Sequence, residues 1–170
     1  MAGTMVTQMM IFCSPKMARK VPNNYICLFA FTVFESFVVA RFCTMVDDKS
    51  VVFSAAFLTC VVVSALTVYA FRTKHDFSVL ASMIWMFIPV LLVTCLLMMI
   101  FHSRLLTIFY CGIATLLFGI ILVIDTQMVA GNKTFALNQD DYIIGALMIY
   151  IDIITIFLQV LQLLSEMQRD

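Results

Sequence analysis

Charged residues are scarce in this sequence. They make up 12% of its 170 residues, and ten basic residues balance ten acidic ones, so the formal net charge is zero. A chain without a basic excess lacks the electrostatic footprint of a nucleic-acid-binding protein, and we expect no nucleic-acid partner. Hydrophobic residues, by contrast, make up 64% of the chain. A soluble core needs far fewer, whereas a surface in a lipid bilayer must itself be apolar, so the composition predicts a membrane protein.

Motifs that mark enzymes and cofactor sites are also missing. The sequence contains no phosphate-binding loop, no nucleophile elbow and no metal-ligand spacing. Its six cysteines form no CxxC pair, and free cysteine packs as a small hydrophobic residue. We therefore expect no enzymatic activity, no catalytic residues and no cofactor.

Long apolar runs determine the predicted fold class. A helix of about 20 apolar residues crosses the roughly 30 Å of hydrocarbon in a bilayer. Five runs reach this length, at residues 24–46, 51–71, 79–101, 105–130 and 141–164. Irregular backbone cannot face lipid, so we interpret every run as a helix. The prediction is an all-α membrane protein in which residues 1–170 form one domain, a bundle of five full transmembrane helices preceded by a partial helix at the N-terminus.

Lysine and arginine are distributed unequally between the two sides of this predicted bundle. One side carries Lys16, Arg19, Lys20, Arg72, Lys74 and Lys133, and the other carries Lys49, Arg104 and Arg169. The positive-inside rule places the more basic side in the cytosol. The C-terminus is therefore expected on the lumenal or extracellular side.

Two aspartates interrupt the last two apolar runs, Asp125 in residues 105–130 and Asp152 in residues 141–164. A carboxylate in hydrocarbon costs roughly 2.5–3.5 kcal/mol on insertion scales, so it usually faces a bundle interior, a partner or water. If the two approach each other, they cannot both ionise easily and they titrate as a unit, which predicts a proton-sensing latch. Two ionised carboxylates would instead hold a hard cation such as Ca²⁺, which takes oxygen ligands. Asp125 and Asp152 are therefore our candidate proton-sensing and Ca²⁺-binding residues.

Other polar residues recur at helical spacing near these aspartates. In the last run Gly145, Asp152 and Gln159 are seven residues apart and share one face, which Thr155 extends. In the fourth run the same spacing relates Gly112, Gly119 and Thr126. Small residues let helices approach closely in lipid, so we interpret the glycine, threonine and glutamine positions first as helix–helix contacts. Thr126, Thr155 and Gln159 are also candidates to support the acid pair.

A third acid, Glu35, lies within the first apolar run, and Asn24 precedes it by eleven residues on nearly the same helical face. Two interpretations stay open for this pair. One is a structural hydrogen bond inside the bundle, and the other is support for the acidic site.

Three blocks of the sequence resemble the transmembrane Bax inhibitor motif family, also called the Bax-inhibitor or lifeguard family. They are SPKMARKVPNNYICLFAFTVFES at residues 14–36, the triplet Asp125-Thr126-Gln127 with Gly131 following, and DDYIIGALMIYIDII at residues 140–154. Their order and spacing agree with the family, and the details are more similar to its lifeguard branch. The family's first helix and most of its second have no counterpart, so we expect a shortened member.

The resemblance implies both a place and an activity. Family members are seven-helix bundles of the endoplasmic reticulum, Golgi or plasma membrane that leak Ca²⁺ in a pH-sensitive way and dampen cell death. Their paired aspartates form the pH-sensing gate and correspond to Asp125 and Asp152. Ca²⁺ is then a transported or transiently bound ion. The second helix of family members supplies a basic partner to the acid pair.

Three functions are therefore open at the level of sequence. The first is a Ca²⁺ leak gated by the two aspartates. The second is a non-conducting protein that pairs with full-length relatives, with cell-death regulators or with itself. The third, more remote, is an intramembrane aspartyl protease, although the residues around Asp125 and Asp152 lack the glycine-rich setting of those enzymes.

Overall fold

The computed structural model describes residues 22–80, 86–87, 89–94, 96–97, 103–131, 137 and 141–168. The partial N-terminal helix predicted within residues 1–15 lies outside this part of the chain. The third apolar run, 79–101, is described only in pieces, and residues 86–87, 89–94 and 96–97 of it are helical. The count of five full transmembrane helices therefore stays a prediction.

Four long helices form the described part of the bundle. They are α1, Asn23–Thr44, α2, Lys49–Arg72, α3, Arg104–Ala130, and α4, Tyr142–Gln168. A short 3₁₀ helix, Phe77–Leu80, follows α2. Each of the four long helices is long and apolar enough to cross a membrane, and all regular elements in the described ranges are helical. The prediction of an all-α, multi-pass membrane protein is confirmed at this level.

Local chemistry explains where these helices begin and end. Asp48 precedes α2, and its carboxylate accepts hydrogen bonds from the backbone N–H and the hydroxyl of Ser50, both at 2.8 Å. These two hydrogen bonds hold the pKa of the Asp48 carboxyl below its usual range, and the bond from the backbone N–H has the larger effect. At the end of α3, Gly131 has φ = 72°, the left-handed conformation that glycine adopts without steric cost and that ends many helices.

The antiparallel pair α3 and α4 makes the most extensive contact of the bundle, and α2 packs against both. At one end Arg104 donates from Nε to the carbonyl of Glu166 at 2.8 Å and from Nη2 to that of Met167 at 3.1 Å. The shared core contains buried side chains from all three helices, namely Val51, Ala55, Leu122, Ile156, Val160 and Leu161. Burial between these helices therefore fixes their relative positions.

Among the described helices, α4 is the only one with which α1 makes extensive contact. Phe31 is fully buried with Leu147, and its ring meets Tyr150 edge-on with centroids 5.8 Å apart. The opposite face of α1 is apolar and exposed, with 71% of Phe37 accessible. Exposed aromatic side chains on a helix of this length fit a lipid environment, because hydrocarbon does not penalise apolar surface.

Glycine allows close helix approach at two of the expected positions. A Cβ placed on Gly145 would lie 2.8 Å from Cγ2 of Val129, and one on Gly119 would lie 3.2 Å from Cδ1 of Leu66. At Gly112 no described atom lies within 4 Å of such a Cβ. The helix-contact interpretation thus fits Gly145 and Gly119, and the described contacts give no reason for it at Gly112.

Candidate proton- and cation-binding site

The two aspartates meet inside the interface of α3 and α4. Asp125 is 9% exposed and Asp152 is 4% exposed, and their carboxyl groups lie within hydrogen-bonding reach of each other. An ionised carboxylate only accepts hydrogen bonds, so a hydrogen bond between the two groups requires a proton on at least one of them. The geometry fits two acids that share one proton in an apolar interface.

An offset between α3 and α4 brings the aspartates together although they lie at different depths from their helix ends. Because Gly145 packs against Val129, α4 begins beyond the end of α3. Asp125 lies four residues before Val129, about 6 Å, and Asp152 lies seven residues after Gly145, about 10.5 Å. The remaining axial difference of about 4.5 Å is one that two side chains can bridge.

Four buried polar oxygen atoms have no hydrogen-bond partner within the described part of the chain. They are Thr59 Oγ1, Thr126 Oγ1, Asp152 Oδ2 and Gln159 Oε1. Two of the predicted supporting residues, Thr126 and Gln159, are among them: Thr126 follows Asp125 directly, and Gln159 lies on the same face of α4 as Asp152. Thr59 was not predicted, because one hydroxyl in an uninterrupted apolar run carries no information about where it points.

Thr155, predicted as a supporting residue, has its hydroxyl engaged elsewhere. It donates to the carbonyl of Ile151 in its own helix at 2.8 Å. This bond directs the hydroxyl along α4 rather than toward the acid pair.

Asn24 and Glu35 do not join the acid pair in the structure. Asn24 is buried, and its Nδ2 donates to the hydroxyl of Tyr142 at 3.1 Å, which ties the start of α1 to the start of α4. Glu35 is half-buried and interacts electrostatically with Tyr150. Tyr150 and Asp152 are about 200° apart around α4, so Glu35 lies on the other side of that helix from Asp125. The contacts of Asn24 fit the first interpretation, a structural hydrogen bond inside the bundle.

Gln127 is a further buried polar residue near the acid pair in sequence, and it was not among the predicted site residues. It is 2% exposed, its Oε1 accepts from the backbone N–H of Phe77 at 3.1 Å, and its Nε2 donates to the carbonyl of His75 at 3.0 Å. The segment after α2 is thereby fixed to the last turn of α3, two residues beyond Asp125. Gln127 occurs in the Asp-Thr-Gln triplet of the resemblance, which is the signal that could have indicated it.

The site offers oxygen ligands but no preformed metal cage. Among the residues that the structure describes, no group of three or more His, Cys, Asp or Glu side chains could hold a metal ion. Ca²⁺ takes six to eight oxygen ligands at about 2.3–2.6 Å. The two carboxyl groups alone do not complete such a shell, so hydroxyl, amide or water oxygens would have to supply the remaining ligands.

Comparisons with known proteins agree with the resemblance found in the sequence. The model of the family described as "Inhibitor of apoptosis-promoting Bax1" matches residues 1–170. Protein lifeguard 3 of Homo sapiens is 34% identical over 95% of this chain and 53% of its own length. Protein LIFEGUARD 1 of Arabidopsis thaliana is 35% identical over 87% of the chain and 63% of its own length. Bax inhibitor 1 of Schizosaccharomyces pombe is 30% identical over 88% and 54%.

These matches cover most of this chain but only part of each relative. The chain spans between about half and two thirds of the length of these relatives. The family assignment rests on the match over its full length and on helices that fit a bilayer. The resemblance is confirmed, and the chain belongs to the Bax inhibitor/lifeguard family of multi-pass membrane proteins.

Proposed function

We propose that this protein is a proton-controlled Ca²⁺ leak in which the Asp125–Asp152 pair is the gate. The observation that carries the proposal is the buried contact between the two carboxyl groups. Helix–helix adhesion alone does not require a carboxylate, whereas a site that responds to protons and cations does. An enzymatic role has no comparable support.

The chemistry of the pair gives the direction of its pH response. At low pH the shared proton joins the carboxyl groups and reduces their negative charge. As pH rises and that proton leaves, two like charges in an apolar interface repel each other, and the pair becomes a ligand for a divalent cation. Ca²⁺ flux is therefore expected to increase with pH through the titration of the pair, which belongs to both residues together.

The names of relatives supply the cellular setting of this proposal. Bax inhibitor 1 and the family description both refer to inhibition of a death-promoting protein. We place the leak in an endomembrane, such as that of the endoplasmic reticulum or Golgi, or in the plasma membrane. In an endomembrane it would lower the stored Ca²⁺, and in either membrane it would dampen cell death. Pairing with full-length relatives or cell-death regulators belongs to the same setting.

The test is Ca²⁺ flux through liposomes that contain the full chain and an enclosed Ca²⁺ indicator. Wild type should leak faster as the pH is raised from mildly acidic to mildly alkaline. Asp152→Asn cannot form an ionised pair, so its flux should be lower at alkaline pH and nearly independent of pH. Glu35→Gln is the matched control, because it removes one carboxylate from a transmembrane helix on the other side of α4 and should retain the wild-type profile.

The outcomes separate the competing functions. Identical pH profiles for wild type and Asp152→Asn would contradict the acid gate. Absence of wild-type flux above that of protein-free liposomes would favour the non-conducting interaction protein. Peptide cleavage that is lost in both Asp125→Asn and Asp152→Asn would instead favour the aspartyl protease.

A further inference from the structure

Most threonine hydroxyls in the described helices bond a carbonyl of their own helix, but those of two buried threonines do not. Five of them donate to the carbonyl oxygen four residues earlier, at distances between 2.7 and 3.1 Å, namely Thr32, Thr94, Thr107, Thr115 and Thr155. Thr59 and Thr126 are more deeply buried, 4% and 2% exposed, yet their hydroxyls make no such bond and have no partner among the described residues. The carbonyl that satisfies those five hydroxyls is available to any threonine inside a helix, and Thr59 and Thr126 do not use it.

The position of Thr59 in α2 shows where its hydroxyl lies. Ala55 and Val63, one turn before and one turn after it, both belong to the apolar cluster that α2 forms with Leu122 and Ile156. Thr59 therefore faces the groove between α3 and α4. It is a buried polar group in the middle of an otherwise apolar contact.

The unpartnered oxygen of Gln159 lies on the same side of α4 as the acid pair. Gln159 follows Asp152 by seven residues, close to two helical turns or about 10.5 Å, and its Oε1 has no partner in the described ranges. Farther along α4, Gln162 and Glu166 line a cavity of about 410 Å³ that also includes Asp47 and Asp48. Oxygen atoms thus continue from the acid pair toward the end of the bundle opposite to Gln127.

Unpaired buried hydroxyl and amide oxygens are unfavourable for a protein at rest, because each loses its water without gaining a partner. All four unpartnered atoms are oxygens, the ligand type that a hard cation takes in place of water. They lie on α2, α3 and α4, the three helices that pack against one another. Such an arrangement gives no benefit to packing but matches the needs of an ion that passes between those helices.

We propose that Thr59, Thr126 and Gln159 continue the Asp125–Asp152 pair into an oxygen-lined cation path between α2, α3 and α4. This inference rests on the proposed leak function and specifies its route. The hydroxyl and amide oxygens coordinate the partly dehydrated ion after the acid pair, and the ion leaves through the acidic cavity at the far end.

Thr59→Val tests the path, because valine keeps the shape of threonine and removes only the hydroxyl. A hydroxyl that is merely tolerated would leave flux unchanged after substitution, and its removal would raise the thermal midpoint of unfolding. A hydroxyl that coordinates the ion gives a different flux. We expect Ca²⁺ flux at alkaline pH to fall about fivefold, the order of effect of one hydrogen-bond-like interaction, while the thermal midpoint is unchanged or higher.

Two further variants complete the experiment. Thr115→Val is the matched control, because the Thr115 hydroxyl is already bonded to the Cys111 carbonyl at 2.7 Å, and its flux should equal that of wild type. Thr59→Ser keeps the hydroxyl and should keep most of the flux. If Thr59→Val does not reconstitute, Gln159→Met provides the same comparison, with reduced flux expected.

Failure of the path and failure of the proposed function give different results. If wild type leaks and Asp152→Asn loses its pH response, but Thr59→Val or Gln159→Met conducts like wild type, the path is wrong and the gate stands. If wild type carries no flux, the proposed function fails and the path fails with it.

Discussion

Gly145 shows how one residue without a side chain sets the geometry of the acid pair. Its Cα lies so close to Val129 that an added Cβ would be 2.8 Å from a methyl carbon of that residue. This approach produces the offset between α3 and α4 that brings Asp125 to Asp152. A single methyl group at Gly145 should therefore separate the two helices.

Gly145→Ala is expected to lower the free energy of unfolding by about 1–3 kcal/mol, the usual cost of overpacking. The measurement is thermal or denaturant unfolding in detergent. Gly112→Ala is the matched control, because no described atom lies within 4 Å of its Cβ. Replacing a glycine inside a helix by alanine should stabilise by roughly 0.5–1 kcal/mol. Equal stability of the two variants would contradict the close helix approach.

Single residues also show how far the sequence alone could predict the site. Asp125 and Asp152 were identifiable because a carboxylate in an apolar run has few explanations. Thr59 was not, because a hydroxyl in a helix normally bonds its own backbone, and only coordinates reveal that this one does not. The roles of Asn24 and Glu35 depended on which helix α1 would pack against, and shared spacing within one helix cannot give that information.

At the level of elements, the ends of the helices were predictable to within a few residues. The run 51–71 corresponds to the helix Lys49–Arg72, and the run 105–130 corresponds to the helix Arg104–Ala130. Apolar length fixed the middle of each helix, while caps such as Asp48 and Gly131 fixed the ends. Pairing between elements was less predictable, since an apolar helix in lipid has no single hydrophobic stripe to indicate its neighbour.

The contact between Gln127 and the segment after α2 is an element-level feature with a testable consequence. Gln127→Met keeps the length of the side chain but removes its two hydrogen bonds to residues 75 and 77. We expect faster hydrogen exchange at the amide of Phe77, by about fivefold or more, because one neutral hydrogen bond contributes about 1 kcal/mol. Mass spectrometry of peptides covering this segment measures the change.

The exposed Gln168 near the end of α4 provides the control for this experiment. Gln168→Met makes the same chemical change far from residue 77, and exchange there should match wild type. Unchanged exchange in Gln127→Met would show that the segment is held in place by other contacts.

On the scale of the whole molecule, the structure groups the charged ends of the helices into two sides. Arg72 and Lys74 line one cavity together with Gln127 at the end of α3, whereas Arg104 contacts the end of α4. For these three residues the grouping is the one predicted from the order of the apolar runs. Of these groups, Arg72 and Lys74 lie at the end of the bundle that is nearer to Asp125.

The expected orientation can be measured directly. The positive-inside rule places Arg72 and Lys74 in the cytosol and the C-terminus in the lumen or outside the cell. A glycosylation sequon added after Asp170 should therefore be modified in cells, whereas one inserted between Lys74 and His75 should not. Modification at the inserted site alone would indicate the reverse orientation.

The shallow position of Asp125 has a physiological consequence in this orientation. It lies five residues, or about 7.5 Å, from the last residue of α3, so protons have a short route to it from the cytosol and a long one from the opposite compartment. In the leak proposed above, such a one-sided sensor would respond to metabolic acidification of the cell and not to the acidity of the opposite compartment. The proposed calcium release would then slow when the cytosol becomes acidic and resume as its buffering recovers.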